Sequence, residues 1–199
     1  MFFILIDNPC GSCVLVLCRY SFITPAEHAT VARIKETCSK TAISWTAESK
    51  AFDEKGGHRL ERKYELPDGT QVSLAKEYLE TAETLFQPDL MGLPNVGLHK
   101  TVVNVVKKCN LSITGDLFGN IVLAGGSTMF PQFEARLQNE LEAVVPDTIE
   151  TKVVASAERK YAAWIGGSML SSLSTYKNIL ISKQDFEEVG ANIAHRKCL

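Results

Sequence analysis

The sequence predicts an α/β fold, and three stretches carry that prediction. Residues 120–131 read as a short apolar strand, a paired-glycine bend and a helix start. Residues 64–74 read as a hairpin, with Tyr64 and Leu66 alternating against polar neighbours and Val72 and Leu74 returning on the same face. Residues 24–27 read as a capped helix start: a threonine cap, Pro25 at the first helical position and Glu27 three residues after the cap. Strands and helices alternate along the chain, with no internal repeat and no low-complexity tract.

The 199 residues suffice for one large domain or two small ones, with 45% hydrophobic and 22% charged residues. A formal charge of -2 exerts no global pull toward nucleic acid or an anionic membrane, so specificity must come from local sites. Of the six cysteines, Cys10, Cys13 and Cys18 crowd the start, while Cys38, Cys109 and Cys198 are scattered. That is a poor disulfide framework and predicts a reduced, intracellular compartment. Cys10-Gly11-Ser12-Cys13 has the spacing of half a zinc site or a redox pair, but no second ligand pair follows it.

In chain order, Phe2–Ile6 and Val14–Leu17 are apolar runs broken by Asp7, Pro9 and Gly11. They predict two buried strands around a turn, since a secretory signal needs a basic start and an unbroken apolar run. They are also too short and too interrupted to span a bilayer. The helix from Thr24 should bury Ala26, Thr30, Val31 and Ile34, with Lys35 and Glu36 near its end. Residues 46–61, with Gly56-Gly57, read as an exposed connection, and Pro67-Asp68-Gly69 turns the hairpin. Glu77–Leu85 is helix-like, and Leu90-Met91-Gly92-Leu93-Pro94 is an apolar loop to be hidden or used as a contact.

Leu98, Val102, Val105 and Val106 give a further amphipathic helix, followed by the strand–glycine–helix stretch. Its glycines admit close approach to the backbone, and a helix opened by Pro131 would add its positive end. In that helix Phe133, Leu137 and Leu141 should be buried, while Glu134, Arg136, Gln138 and Glu140 face water. Lys152–Ala155 is a short strand, and residues 162–170 form a small-residue helix. Ser182 to Asp185 is a second capping box, Gly190 a stop, and His195-Arg196-Lys197 a solvated basic run.

Three ordered runs together resemble the actin family. The first is Tyr64-Glu65-Leu66-Pro67-Asp68-Gly69 with Leu85-Phe86-Gln87-Pro88. The second is Leu123-Ala124-Gly125-Gly126-Ser127-Thr128-Met129-Phe130-Pro131. The third begins at Glu158-Arg159-Lys160-Tyr161 and continues through Trp164-Ile165-Gly166-Gly167-Ser168 to His195-Arg196-Lys197-Cys198. The resemblance runs from about Arg19 to Leu199 and covers the second half of an actin. It implies the second, large lobe of the actin-like ATPase, a ribonuclease H-like fold shared with hexokinase and the heat-shock chaperone ATPases. The implied divisions are a segment outside the resemblance at 1–18, a small helix-and-hairpin subdomain at 19–91, a sheet subdomain at 92–161, and C-terminal helices at 162–199 that pack on the first lobe.

Carried over by position, the resemblance implies that Gly125, Gly126, Ser127 and Met129 line ATP or ADP. Phe130 stands where actins usually have tyrosine, Lys160 falls beside the adenine, and Lys35 and Glu36 reach the ribose and adenine side. It implies a filament contact loop at Leu90, Met91, Leu93 and Val96, and a cleft for actin-binding proteins at Leu170, Leu173, Thr175 and Ile179. Partners would be actin-like subunits and actin-binding proteins, without nucleic acid or membrane, in the cytoplasm and cytoskeleton. The family's Asp-x-Gly-x-Gly-like phosphate loops have no match in this sequence. Nor do its magnesium-holding aspartate and its water-positioning residues, which belong to the first half. The expectation is a truncated actin-like protein with no catalytic or metal-ligating residues, one that does not hydrolyse ATP at a family-like rate alone. A non-catalytic interaction module is the alternative. A Rossmann-type enzyme is disfavoured, because no G-x-G-x-x-G follows a first strand.

Overall fold

The computed structural model describes residues 2–5, 24–54 and 61–197. The C-x-x-C pair, the second N-terminal apolar run, Gly56-Gly57 and Cys198 lie outside them. The chain divides into two compact units, Met1–Lys160 and Tyr161–Leu199.

In the first unit, helix α1 (Pro25–Cys38) starts as predicted. The Thr24 hydroxyl accepts from the Glu27 amide at 3.3 Å, and the Glu27 carboxylate accepts from the Thr24 amide at 2.7 Å. Its buried residues are Val31, Ile34 and Cys38. Ala26 is exposed instead, because the stripe that packs inward starts a full turn later than expected. The predicted connection at 46–61 is largely a helix, α2 (Trp45–Glu54). Periodicity missed it because Phe52 is the residue it sinks into the core, with Trp45 packed at the margin. Glu48 fastens its first turn, accepting from the Ile43 amide and from the Lys40 ammonium, each at 2.9 Å.

Strands β2 (Arg62–Glu65) and β3 (Gln71–Leu74) form the expected antiparallel hairpin, with Tyr64 opposite Val72. Gly69 turns it at φ 83°. Together with α1, α2 and α3 (Glu77–Glu83), the hairpin closes a first core of Val31, Ile34, Phe52, Val72, Leu74 and Leu79. A short 3-10 turn (Pro88–Met91) then leads through residues 93–97 into α4 (Leu98–Val106). Val102, Val103 and Val106 are buried there, whereas Val105 is 39% exposed, because the inward stripe of α4 includes His99 and Val103 rather than Val105. Helix α5 (Leu111–Phe118), capped by Asn110, was not anticipated by pattern: Leu111 and Ile113 are exposed and only Phe118 is buried.

A three-stranded parallel sheet follows the order β1 (Phe2–Leu5), β4 (Ile121–Ala124), β5 (Val153–Val154). Parallel neighbours require a crossover, and between β4 and β5 it is α6 (Phe133–Glu142). Phe133, Leu137 and Leu141 are fully buried against β4, α4 and Phe86, forming the second core. Gln138, expected in water, binds α6 to the sheet. Its amide oxygen accepts from the Val153 amide at 2.9 Å, and its amide nitrogen donates to the Thr151 carbonyl at 2.6 Å.

Arg136 also departs from the expected outward face. Its side chain is 4% exposed and forks onto the fully buried Glu83 carboxylate at 2.8 and 2.9 Å. A third bond reaches the Ala42 carbonyl at 2.7 Å, and a fourth reaches Glu140 at 2.8 Å. The guanidinium also lies 4.8 Å above the Phe86 ring. Residues 53 positions apart make this pair, so helical spacing could not reveal it. Burial raises the Glu83 carboxyl above its ordinary range against the pull of Arg136. Burial also opposes the Arg136 charge, but hydrogen bonding and attraction from Glu83 and Glu140 outweigh it and hold the guanidinium cationic. With two charge-assisted bonds of this geometry, the pair is ionised at neutral pH.

The second unit holds α7 (Ala162–Ser172), α8 (Lys183–Val189) and α9 (Ile193–Lys197). Ser182 and Asp185 form the predicted capping box, and Gly190 ends α8 at φ 71°. The basic run is not simply solvated. Lys197 reaches the Leu180 carbonyl at 2.9 Å and the Asp185 carboxylate at 2.6 Å. The bonds from Lys197 and Ser182 hold the Asp185 carboxyl well below the usual carboxylate range.

The Glu83–Arg136 pair gives a direct test. Glu83→Gln takes the bidentate carboxylate from a buried guanidinium, leaving it Glu140 alone, and should lower unfolding stability by about 3 kcal/mol. Joining it to Arg136→Met should recover much of that loss in urea unfolding. A double variant as unstable as the sum of the two singles would show that the groups do not act as a pair.

Candidate functional site

The candidate site lies where β4 ends. In open parallel sheets, ligands settle beyond the carboxyl ends of the strands, and β4 runs into Gly125 there. Gly125 has φ 97°, a conformation that a side chain would strain, and its amide donates to the Arg159 carbonyl at 2.9 Å. Gly126 differs: among the described residues, a Cβ built on it would meet nothing within 4 Å, so they leave this edge of the turn open.

Behind that edge the turn is closed by groups the sequence pattern did not single out. Thr128 is fully buried, and its hydroxyl donates to the Gly125 carbonyl at 2.7 Å. Arg159 donates twice to the Thr128 carbonyl, at 3.2 and 3.1 Å, and once to the Ser156 carbonyl at 2.8 Å. Thr128 and Arg159 are 31 positions apart. The only hint in the sequence was that Arg159 sits beside Lys160.

The helix start also differs from expectation. Residues Gly126–Met129 form a 3-10 turn, Pro131 lies outside any helix, and α6 begins at Phe133 after Gln132 at φ 66°. The interposed turn separates the α6 dipole from the glycines, so a ligand at Gly126 gains no direct help from it. A cavity of about 340 Å³ opens beside this junction, lined by Met129, Phe130, Gln132, Glu134, Gln138 and Arg159.

Of the residues the sequence singled out, Ser127 is buried and Met129 is 37% exposed. Phe130 is 7% exposed and belongs to the second core, so its ring packs inward. Lys160 and Glu36 come together, Nζ to Oε1 at 3.7 Å, which sets the end of α1 beside the segment that follows β5. Lys35, half-buried, precedes Glu36 on α1. The loop residues Leu90, Leu93 and Val96 are exposed and Met91 is half-buried. In the second unit Leu170, on α7, and Leu173, Thr175 and Ile179, around the 3-10 turn Ser174–Asn178, are all exposed. Among the described residues, no group of three or more His, Cys, Asp or Glu side chains could hold a metal ion. No helix among them is long and apolar enough to cross a membrane.

The sequence model of the Actin family matches residues 14–199. The geometry of the turn separates its two glycines experimentally. Gly125→Ala should destabilise by about 1–3 kcal/mol, because φ 97° with ψ 157° is a backbone region kept for glycine, whereas Gly126→Ala should change the thermal midpoint little. Equal destabilisation by both substitutions would contradict the open edge at Gly126.

Proposed function

The chain belongs to the actin family, and from that membership we propose that its glycine turn and the Lys160–Glu36 pair form the base-facing wall of an ATP or ADP site in a cytoskeletal protein. The observation that carries the reading is the open edge at Gly126, which a ligand could meet directly at the backbone. Around it, Lys160 supplies a cation and donor, Glu36 an acceptor for ribose or base groups, and Met129 an exposed apolar contact. Phe130 contributes from the core rather than as a stacking plate.

These donors fit a base and a ribose, and they do not fit magnesium, for which the described residues offer no cluster of ligands. The phosphate loops of the family also have no match in the sequence. Phosphoryl transfer depends on groups placed around the γ-phosphate, so binding without family-like turnover is the expected behaviour of this chain alone. Filament assembly through Leu90, Met91, Leu93 and Val96 belongs to the same proposal.

A second reading, a non-catalytic module that binds actin-like subunits or actin-binding proteins, is favoured by one observation. Among the described residues of the second unit, Ile193 is the buried hydrophobic one, while Trp164, Met169, Leu170, Leu173 and Phe186 are all at least 48% exposed. Such a surface suits apolar partners. Co-sedimentation with filaments separates the readings: nucleotide-sensitive assembly supports the first, and binding indifferent to nucleotide supports the second.

Two outcomes follow for the nucleotide site. Lys160→Met should weaken binding of a fluorescent ATP analogue by about tenfold, the worth of a charge-assisted hydrogen bond. The same change should leave unfolding nearly unaltered, because an exposed ion pair contributes little. Purified chain should show no ATP turnover above background in a phosphate-release assay. Undiminished binding by Lys160→Met, or turnover at a family-like rate, would count against the proposal.

A further inference from the structure

We propose that Arg159 is a positioning residue of the nucleotide site, an inference that rests on the reading of that site given above. Its part is to set the distance between the Gly126 edge and the Lys160 ammonium, so that one bound ATP can meet both.

Arg159 is fastened through its backbone and its side chain alike. Its carbonyl accepts from the Gly125 amide at 2.9 Å, where the chain enters the glycine turn. Its Nε and Nη2 donate to the Thr128 carbonyl at 3.2 and 3.1 Å, farther along the same turn. Its own amide and its Nη1 both donate to the Ser156 carbonyl, at 3.2 and 2.8 Å. One residue therefore ties the glycine turn, at two places, to the segment that follows β5. Lys160 is the next residue along that segment.

The lysine has little of its own to fix its place. An ammonium is a compact charge on a flexible four-carbon stem, and the Lys160 side chain is 40% exposed. Its pair with Glu36 is 3.7 Å long and Glu36 is 57% exposed, so water competes for both groups. Where the ammonium can reach is thus set by where its backbone begins, and the Arg159 fork fixes that point relative to Gly126.

The shape of the turn, in contrast, does not need the Arg159 side chain. The Thr128 amide and hydroxyl both donate to the Gly125 carbonyl, at 3.2 and 2.7 Å. The bond from the Gly125 amide goes to the backbone of Arg159, which any substitution there retains. Taking away the guanidinium should leave the turn intact and loosen its spacing from Lys160. Supporting groups of this kind hold binding constellations to within about 0.5 Å. Arg159→Lys keeps the charge and loses the planar fork, so its effect reads geometry and not net charge.

The test is a double-mutant cycle on the full chain, read by calorimetric titration with ATP. Arg159→Lys should weaken ATP binding by about three- to tenfold, the upper limit being the loss expected when the Lys160 ammonium itself is removed. In a Lys160→Met background no ammonium remains to be placed, and the same substitution should change affinity by less than about twofold. A purely structural arginine would cost as much in both backgrounds. That result, or undiminished binding by Arg159→Lys alone, overturns the proposal. Should Arg159→Lys not fold, the unaltered chain decides. With ATP at about ten times its Kd, a ligand bridging Gly126 and Lys160 should slow hydrogen exchange of the Gly125 amide by up to about tenfold. ATP that binds and leaves this exchange unchanged overturns the role of Arg159 while the nucleotide reading stands. ATP that does not bind the unaltered chain at all removes both.

Discussion

The fold of the first unit depends on one buried ion pair, because Arg136 and Glu83 are where its two cores meet. One core gathers α1, α2, the hairpin and the outer face of α3; the other gathers α4, α6 and the parallel sheet. Helix α3 contributes to both, through Tyr78 and Leu79 on one side and Ala82 on the other, with Phe86 just beyond its end. A guanidinium that reaches Glu83 on α3, Glu140 on its own helix and the Ala42 carbonyl between α1 and α2 fixes all three in one arrangement. Apolar contacts alone would tolerate sliding; a bidentate fork with four of its five donors committed does not.

That fixity bears on the candidate site. The glycine turn inherits its position from β4 behind it and from Arg159 beside it, and β4 is backed by the fully buried stripe of α6. The end of α1 is brought to the same place by the first core, so Glu36 meets Lys160. The closed back of the turn and its open edge at Gly126 are therefore two results of one packing arrangement. Thr128 and Arg159 hold the backbone from within, and among the described residues nothing lies within 4 Å of a Cβ built at Gly126.

Much of this was legible in the sequence wherever structure follows from neighbours in the chain. The capping boxes at Thr24 and Ser182, the hairpin turn at Gly69, strand β4 and the 133–137–141 stripe all rest on contacts within a few residues. Helix α2 escaped because a helix that buries Phe52 and little else has no period to detect. The burial of Arg136 escaped for a different reason: polarity predicts water, and only a partner 53 positions away makes burial tolerable. Likewise the paired glycines were visible, while the threonine and arginine that shape them were not, since a carbonyl acceptor leaves no signature in side-chain identity. The helix was expected directly after Pro131, and the left-handed Gln132 delays it.

The narrowness of the parallel sheet has its own consequence. Four, four and two residues make up its strands, with β1 and β5 on the two flanks. A flank strand offers backbone donors and acceptors to any extended chain that arrives, and brevity is one of the ways proteins blunt that invitation. At β5 only two residues are on offer and Val154 beside them is exposed, so an incoming strand would find too few rungs to hold register. Among the described residues the longer β1 flank has four positions against the two of β5, so an added strand would find more rungs there.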